Sequence, residues 1–274
     1  MSDSVHQQYK TTDLLRIRAD THRHHSEAPL DLDAACAEVL GLAGDEALLD
    51  VGCGPGAFLR YLRGGGHRGR LAGLDQSTAM IAEAERTAGD AGIAIDWFTG
   101  QADELPFAAG EFAMLSARHM LYHVPDIPAA LREFARVVGP GGVVLAATNG
   151  ERNMAGLRGL EDEIARRFGL EEGPEPTETF NTGNAPDQLR DVFPVVEETI
   201  LPGALVFTEP GPIVDYVMTQ SVPQQAADDP ELFDRIRDWV TAQATTRLEE
   251  LGGTWRDPKS VGLYRCVTGH LPVS

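Results

Sequence analysis

Between residues 47 and 148 five short apolar runs alternate with helix-patterned segments, and this alternation constrains the fold more than any other feature of the chain. The runs occupy residues 47–51, 71–75, 93–98, 112–116 and 143–148, with helical patterns at 57–63, 77–89 and 127–138. Ser77 stands where the second helix needs an N-cap, and Gly89 lies near its end. Strand–helix–strand units of this length join parallel neighbours through right-handed crossovers, which puts helices on both faces of one sheet. The expected fold class is α/β, doubly wound.

The flanks extend this core. Residues 11–26 read as a helix opened by Thr11, Thr12 or Asp13, placed to pack as a lid over the sheet edge. A second amphipathic helix spans 154–169, and an acidic stretch with Gly and Pro, 171–184, reads as a loop or insertion. Asn184 or Ala185 then opens a short helix, apolar runs follow at 195–201 and 204–207, helices at 211–220 and 231–251, and a last strand at 261–267. The expected organisation is an N-terminal helical lid at 1–30, a Rossmann-like core at 31–150, and cap helices with the remaining strands of the same domain at 151–274.

Charge narrows the partners. Lys and Arg total 23 against 42 Asp and Glu, a net charge of −19, and that field repels phosphate backbones and anionic lipid surfaces. Nucleic acid is therefore not expected as a partner, and the basic stretch at 60–70 reads as a solvated helix end. No segment approaches the roughly 20 apolar residues of a membrane span, and the first ten residues lack the apolar core of a signal peptide. Cys36, Cys53 and Cys266 are odd in number and far apart, as reduced thiols are. A soluble cytoplasmic protein, monomer or homodimer, is expected.

The sharpest local signal is the run from Leu48 to Gly56, a strand entering a GxGxG turn and then a helix. Glycines allow the sharp turn and a close ligand approach, and the helix N-terminus favours an anionic group. Asp75 closes the next strand about 20 residues on, where a carboxylate can take both hydroxyls of an adenosine ribose. The loop alone leaves a nicotinamide oxidoreductase and a methyltransferase equally open, since Ala57 completes the dinucleotide fingerprint.

Downstream residues discriminate. The stretches from Gly100 to Phe107, Glu111-Phe112, His119 to Asp126 and Gly139-Pro140-Gly141-Gly142 resemble class I S-adenosylmethionine-dependent methyltransferases of the group that includes ubiquinone and menaquinone biosynthesis enzymes. A narrower resemblance, to bacterial small-molecule methyltransferases, runs nearly end to end. It is carried by Tyr9, Leu15, Arg18, His22 and Ser26, by the run from His119, and by Thr148-Asn149-Gly150 with Asn153-Met154. The resemblance implies that Gly52, Gly54 and Gly56 line the methionine and ribose, that Asp50 orients the amino group through the loop, and that Asp75 holds the ribose diol. Met80 then packs near adenine, Gln101 and Ala102 read its edge, and Tyr9, Gln76 and Ser116 complete the cofactor contacts. Gln101 stands where relatives commonly carry Asp, and Arg118 where they carry a small amide.

Leu15, Arg18, His22 and Ser26 share one helical face. Arg18 needs a partner there, either the cofactor carboxylate or a surface acid. His22, His24 and His25 lack the Cys or carboxylate company of a metal site, and no metal is expected. His119 and His123, after the fourth strand at the ligand-binding edge of the sheet, are the candidate bases for a hydroxyl or carbon-acid acceptor, with His22 third. Phe180, Tyr216, Met218, Trp239 and Trp255 supply apolar surface for an acceptor wall or for core. The expected activity is methyl transfer from S-adenosylmethionine to a small molecule of secondary-metabolite or quinone type. The alternatives are a cofactor binder with a different reaction and a nicotinamide oxidoreductase.

Overall fold

The computed structural model describes residues 12–28, 30–173 and 177–269. Its elements are α1 Thr12–His25, α2 Leu32–Leu40, β1 Leu48–Val51, α3 Ala57–Gly64, β2 Leu71–Asp75, α4 Thr78–Asp90, β3 Asp96–Thr99, β4 Met114–Arg118, α5 Ile127–Val138, β5 Val143–Asn149, α6 Ala155–Phe168, α7 Ala185–Arg190, β6 Val195–Phe207, α8 Pro210–Met218, α9 Ser221–Gln224, α10 Pro230–Glu250 and β7 Trp255–Val267. A 3₁₀ turn covers Leu121–His123.

Seven strands form one sheet in the order β3-β2-β1-β4-β5-β7-β6. Strands β1 to β5 pair in parallel, and β7 runs antiparallel to β5. The chain winds outward from β1 to β3 and then restarts on the other side at β4, so the β1/β4 boundary is the topological switch point. Ligands bind such sheets at the carboxyl ends beside that point.

Alternation along the strands separates two cores. Leu49, Val51, Leu74, Leu115, Ala117, Val144 and Ala146 face a cluster with Leu131 and Phe134 of α5, Phe180 and Leu189. Leu48, Leu71, Val143 and Leu145 face the opposite cluster with Cys36 and Leu40 of α2 and Phe58, Leu59 and Leu62 of α3. A side chain one position on in a strand points to the other face, so this period-two pattern fixes the register. It is the doubly wound Rossmann-like α/β arrangement expected from the sequence.

The chain divides into two compact units. The sheet unit takes Asp31–Glu151 and the described parts of Pro176–Leu201 and Val261–Ser274. The helical unit takes the described parts of Met1–Leu30 and Arg152–Glu175 together with Pro202–Ser260. Its core joins Leu157, Leu160 and Ile164 of α6, Ile213 and Val217 of α8, Ile236 and Val240 of α10, Leu205, Phe207 and Trp255. The start of α6 is closed by Asp257, 2% exposed, whose carboxylate accepts from the Gly156 and Leu157 amides at 3.0 and 2.8 Å. No helix among the described residues is long and apolar enough to cross a membrane.

Several bounds depart from the sequence expectation. The helix α2 went unmarked, although Asp31 caps its start on the Ala34 amide and Gly41, at φ 69°, ends it. The runs 195–201 and 204–207 are one strand, β6, continuous through Pro202 and Gly203. Strand β7 begins at Trp255, ahead of the expected 261, and carries Pro258 within it. Strand β4 lies two residues later than 112–116, because Phe112 bonds the end of α5 through Val137 O.

Candidate active site

Strand β1 ends at Val51, and the turn through Gly52, Gly54 and Gly56 leads into α3 with φ of 67°, 53° and 76°. Positive φ is cheap only for glycine. The amides of Gly52 and Cys53 both donate to Leu74 O, at 2.7 and 3.1 Å, which ties the turn to the end of β2. The Gly54 amide donates to Asp75 Oδ2 at 2.9 Å, while Asp75 Oδ1 accepts from the Ser77 amide at 2.9 Å. Each oxygen of this half-buried carboxylate keeps lone-pair capacity for a further donor.

The three glycines do different work. A Cβ on Gly52 would stand 2.6 Å from Met120 Cβ, and one on Gly56 would stand 2.2 Å from the Trp97 indole. Trp97 also fills the space beside Gly73, whose added Cβ would lie 2.5 Å from it. A Cβ on Gly54 would meet nothing within 4 Å. Gly54 alone turns its bare face to open space, and Asp75 lies directly behind it. Trp97 was missed in the sequence, although a glycine inside a strand, Gly73, is the usual sign of a close approach.

Beneath the turn lies a buried polar network on the α2/α3 face. Asp50, 1% exposed, accepts from Ser116 Oγ at 2.5 Å. Arg118 Nε stands 3.8 Å from Asp50 Oδ1, its Nη1 donates to Asp33 Oδ1 at 2.7 Å, and its guanidinium lies 4.0 Å over the Phe58 ring. Burial pushes the Asp50 carboxyl up, and the Arg118 charge and the Ser116 hydrogen bond oppose it. Arg118 therefore answers two carboxylates, Asp33 and Asp50. Ser116, fully buried, is directed at Asp50. The Cys53 thiol is driven well above its usual range by burial and by the charges of Asp50 and Asp75, which suits it to packing rather than nucleophilic attack.

The carboxyl ends of the strands bring the remaining candidates together. Asp75 pairs in register with Thr99, so Gln101 and Ala102 follow beside it, Gln101 exposed and Ala102 at 8%. Gln76 is exposed, and Met80 sits half-buried at the start of α4, its amide capped by Ser77 Oγ at 3.4 Å. After β4, His119 holds a left-handed φ of 53° and its amide donates to Ala147 O at 2.8 Å. Burial, then the Arg118 charge, brings its imidazole down to about 4. His123 is also lowered by burial, but the Asp75 carboxylate pulls it back up. Its ring packs edge-on to Tyr122 at 4.6 Å.

Arg18 and His22 belong to the helical unit. Arg18 Nε donates to Thr219 Oγ1 at 3.0 Å and its Nη2 to Thr219 O. His22 Nδ1 lies 3.0 Å from Lys259 Nζ. Tyr9 lies outside the described residues. No group of three or more His, Cys, Asp or Glu side chains among the described residues is placed to hold a metal.

A glycine turn, an acid at the end of the next strand and the β3-β2-β1-β4-β5-β7-β6 order define the class I methyltransferase fold. Residues 49–146 match the family described as "Methyltransferase domain". Over 95 residues the chain is 42% identical to a 2-phytyl-1,4-naphtoquinone methyltransferase of Thermosynechococcus vestitus, covering 34% of this chain and 42% of that one. Over 156 residues it is 32% identical to a ubiquinone biosynthesis O-methyltransferase of Pseudomonas paraeruginosa, covering 56% and 63%. The chain thus spans about half the length of the curated relatives it matches. Phosphoethanolamine N-methyltransferase 2 of Haemonchus contortus, solved with S-adenosylhomocysteine, shares the fold with a TM-score of 0.59 at 16% identity, covering 97% of this chain and 59% of that one.

Proposed function

We propose that this chain is an S-adenosylmethionine-dependent methyltransferase acting on a small molecule. The observation that carries the reading is Gly54, at positive φ with open space where a Cβ would stand, and the Asp75 carboxylate held by the Gly54 and Ser77 amides. A ribose diol supplies the two hydroxyl donors that this carboxylate can still accept, so the residues fit the donor. When bound, the sulfonium supplies an activated methyl group that leaves by direct displacement.

The chain's own residues then orient and exclude water. Orientation contributes on the order of 7–11 kcal/mol, against the 10²- to 10⁴-fold typical of a positioned base. Gly52, Gly54 and Gly56 shape the floor, Asp50 with Ser116 braces it from below, and Gln76, Met80, Gln101 and Ala102 border the adenine side. A hydroxyl or carbon-acid acceptor has its proton taken at His123. An imidazole at about 4 is too weak a base near neutral pH, which ranks His119 below His123. Arg18, His22 and Tyr9 keep the roles the resemblance implies as proposals, with Arg18 also engaged by Thr219.

The acceptor is proposed to be of quinone or secondary-metabolite type, the enzyme to be cytoplasmic with its three buried thiols reduced, and the assembly to be a monomer or homodimer. Calorimetric titration with S-adenosylmethionine, S-adenosylhomocysteine and NADH tests the donor, and labelled methyl donor incubated with cell extracts tests transfer. Saturable binding of the first two without the third is expected. Affinity for neither adenosyl ligand overturns the reading, and binding without transfer leaves a binder with a different reaction.

A further inference from the structure

Within the sheet unit, three strands bring one row of residues together on the α2/α3 face. Asp50 of β1 stands in register with Ser116 of β4 on one side and Gly73 of β2 on the other. Its Oδ1 accepts from Ser116 Oγ, and its Oδ2 has no partner among the described residues. Arg118, two residues beyond Ser116, brings Nε to 3.8 Å from Asp50 Oδ1, a contact of charges rather than a hydrogen bond. Two contacts hold the guanidinium there: Asp33 Oδ1 accepts from Nη1 at 2.7 Å, and the Phe58 ring lies 4.0 Å from it. Asp33 is partly exposed and Asp50 is not, so the outer carboxylate anchors the cation and the inner one needs it.

A buried carboxyl carries either a charge or a proton. A proton on Oδ2 would find no acceptor, and Oδ1 already takes the Ser116 hydrogen, so the hydrogen bonding of Asp50 suits its ionised form. Burial opposes that charge. Asp33 of α2 and Asp75 of β2 repel it as well, and the thiols of Cys36 in α2 and Cys53 in the turn are held neutral by burial. From α3 and β5 come Phe58 and Leu145, neither of which carries charge. The cation in this set is Arg118. We infer that Arg118 is a positioning residue that keeps Asp50 ionised beneath the glycine turn, so that the turn meets a cationic ligand over a fixed negative charge. S-adenosylmethionine is such a ligand, with a sulfonium and an ammonium against a single carboxylate. That role rests on the methyl-transfer reading; the ionisation of Asp50 does not.

The test reads the Asp50 side chain in the full-length protein at neutral pH, by NMR of aspartate carrying ¹³C in its carboxyl. Asp50→Asn removes the Asp50 signal, and Ser116→Ala, which takes away its hydrogen bond, moves it; either gives the assignment. The wild type should show the shift of a carboxylate, and Arg118→Met that of a protonated acid. Arg118→Gln, polar and equally uncharged, puts the same question if the methionine variant does not fold. A protonated Asp50 in the wild type overturns the inference, as does an unchanged carboxylate in either folded variant. Calorimetric titration with S-adenosylmethionine in two buffers of different protonation enthalpy then counts protons. The wild type should release none and Arg118→Met up to about one, with the variant's affinity falling about tenfold per pH unit below neutral. Equal proton counts in the two proteins overturn the role in binding, whatever the affinities. A wild type with an ionised Asp50 and no affinity for S-adenosylmethionine faults the methyl-transfer reading alone.

Discussion

Asp75 accepts from the Gly54 and Ser77 amides, and in the proposed function it serves a ribose diol as well. Hydrogen bonds to a charged group contribute about 1.5–3 kcal/mol each, so Asp75→Ala should weaken S-adenosylmethionine about 10- to 100-fold or more in calorimetry. Unchanged affinity would take the residue out of the site. The same substitution removes the carboxylate that favours the His123 imidazolium, so His123 should titrate lower in the variant by NMR. His119 makes a separate prediction. Its folded value of about 4 lies below the unfolded 6.5, so the fold favours the neutral ring. Its stabilisation is complete above the unfolded value and is lost as pH falls toward the folded one. At 1.36 kcal/mol per unit the ceiling is about 3 kcal/mol, reduced by the ring's partial exposure to water. Urea midpoints at neutral pH and in mild acid should fall less in His119→Asn, since Asn tolerates the left-handed backbone and carries no titrating ring. An identical loss in both proteins would mean that His119 titrates normally.

At the scale of elements, the turn between β1 and α3 separates packing from binding. Gly73→Ala drives a methyl into Trp97 and should destabilise by about 1–3 kcal/mol in urea, with relief in a Gly73→Ala, Trp97→Leu double variant. Gly54→Ala meets open space, so its loss should fall on cofactor affinity beyond the roughly 1–2 kcal/mol of backbone cost. A Gly54→Ala protein that binds the donor normally would place the ligand elsewhere. The contrast also marks what the sequence could carry. Strand β2, helix α5 and the Ser77 cap were legible because period and capping chemistry are local. The partner of Arg118 was not, since Asp33 lies 85 positions away and no periodic signal links them. Nor was the binding of Arg18 by the hydroxyl and carbonyl of Thr219, 201 positions away. Continuous β6 was hidden by Pro202-Gly203, which reads locally as a break.

For the whole molecule, the segment that carries the signature is smaller than the segment that folds. Residues 49–146 match the methyltransferase domain, and 47–148 hold the legible alternation. Yet the core on the α5 face includes Phe180, Leu189, Phe193 and Tyr264, each 0–1% exposed and all contributed by later chain. Burying such a side chain contributes about 1.5–3 kcal/mol, so together they stand for about 6–12 kcal/mol. That is as large as the net stability of an ordinary domain, roughly 5–15 kcal/mol. Removing later chain also strips β7 from Val143–Asn149 and bares the edge of an apolar strand. A fragment of residues 31–151 should therefore aggregate or remain molten, with helical far-UV dichroism, a flat near-UV spectrum and no cooperative urea transition. A sharp transition with native near-UV signal would show that the five parallel strands close their own core, and that residues 176–201 and 261–269 decorate a fold that stands without them.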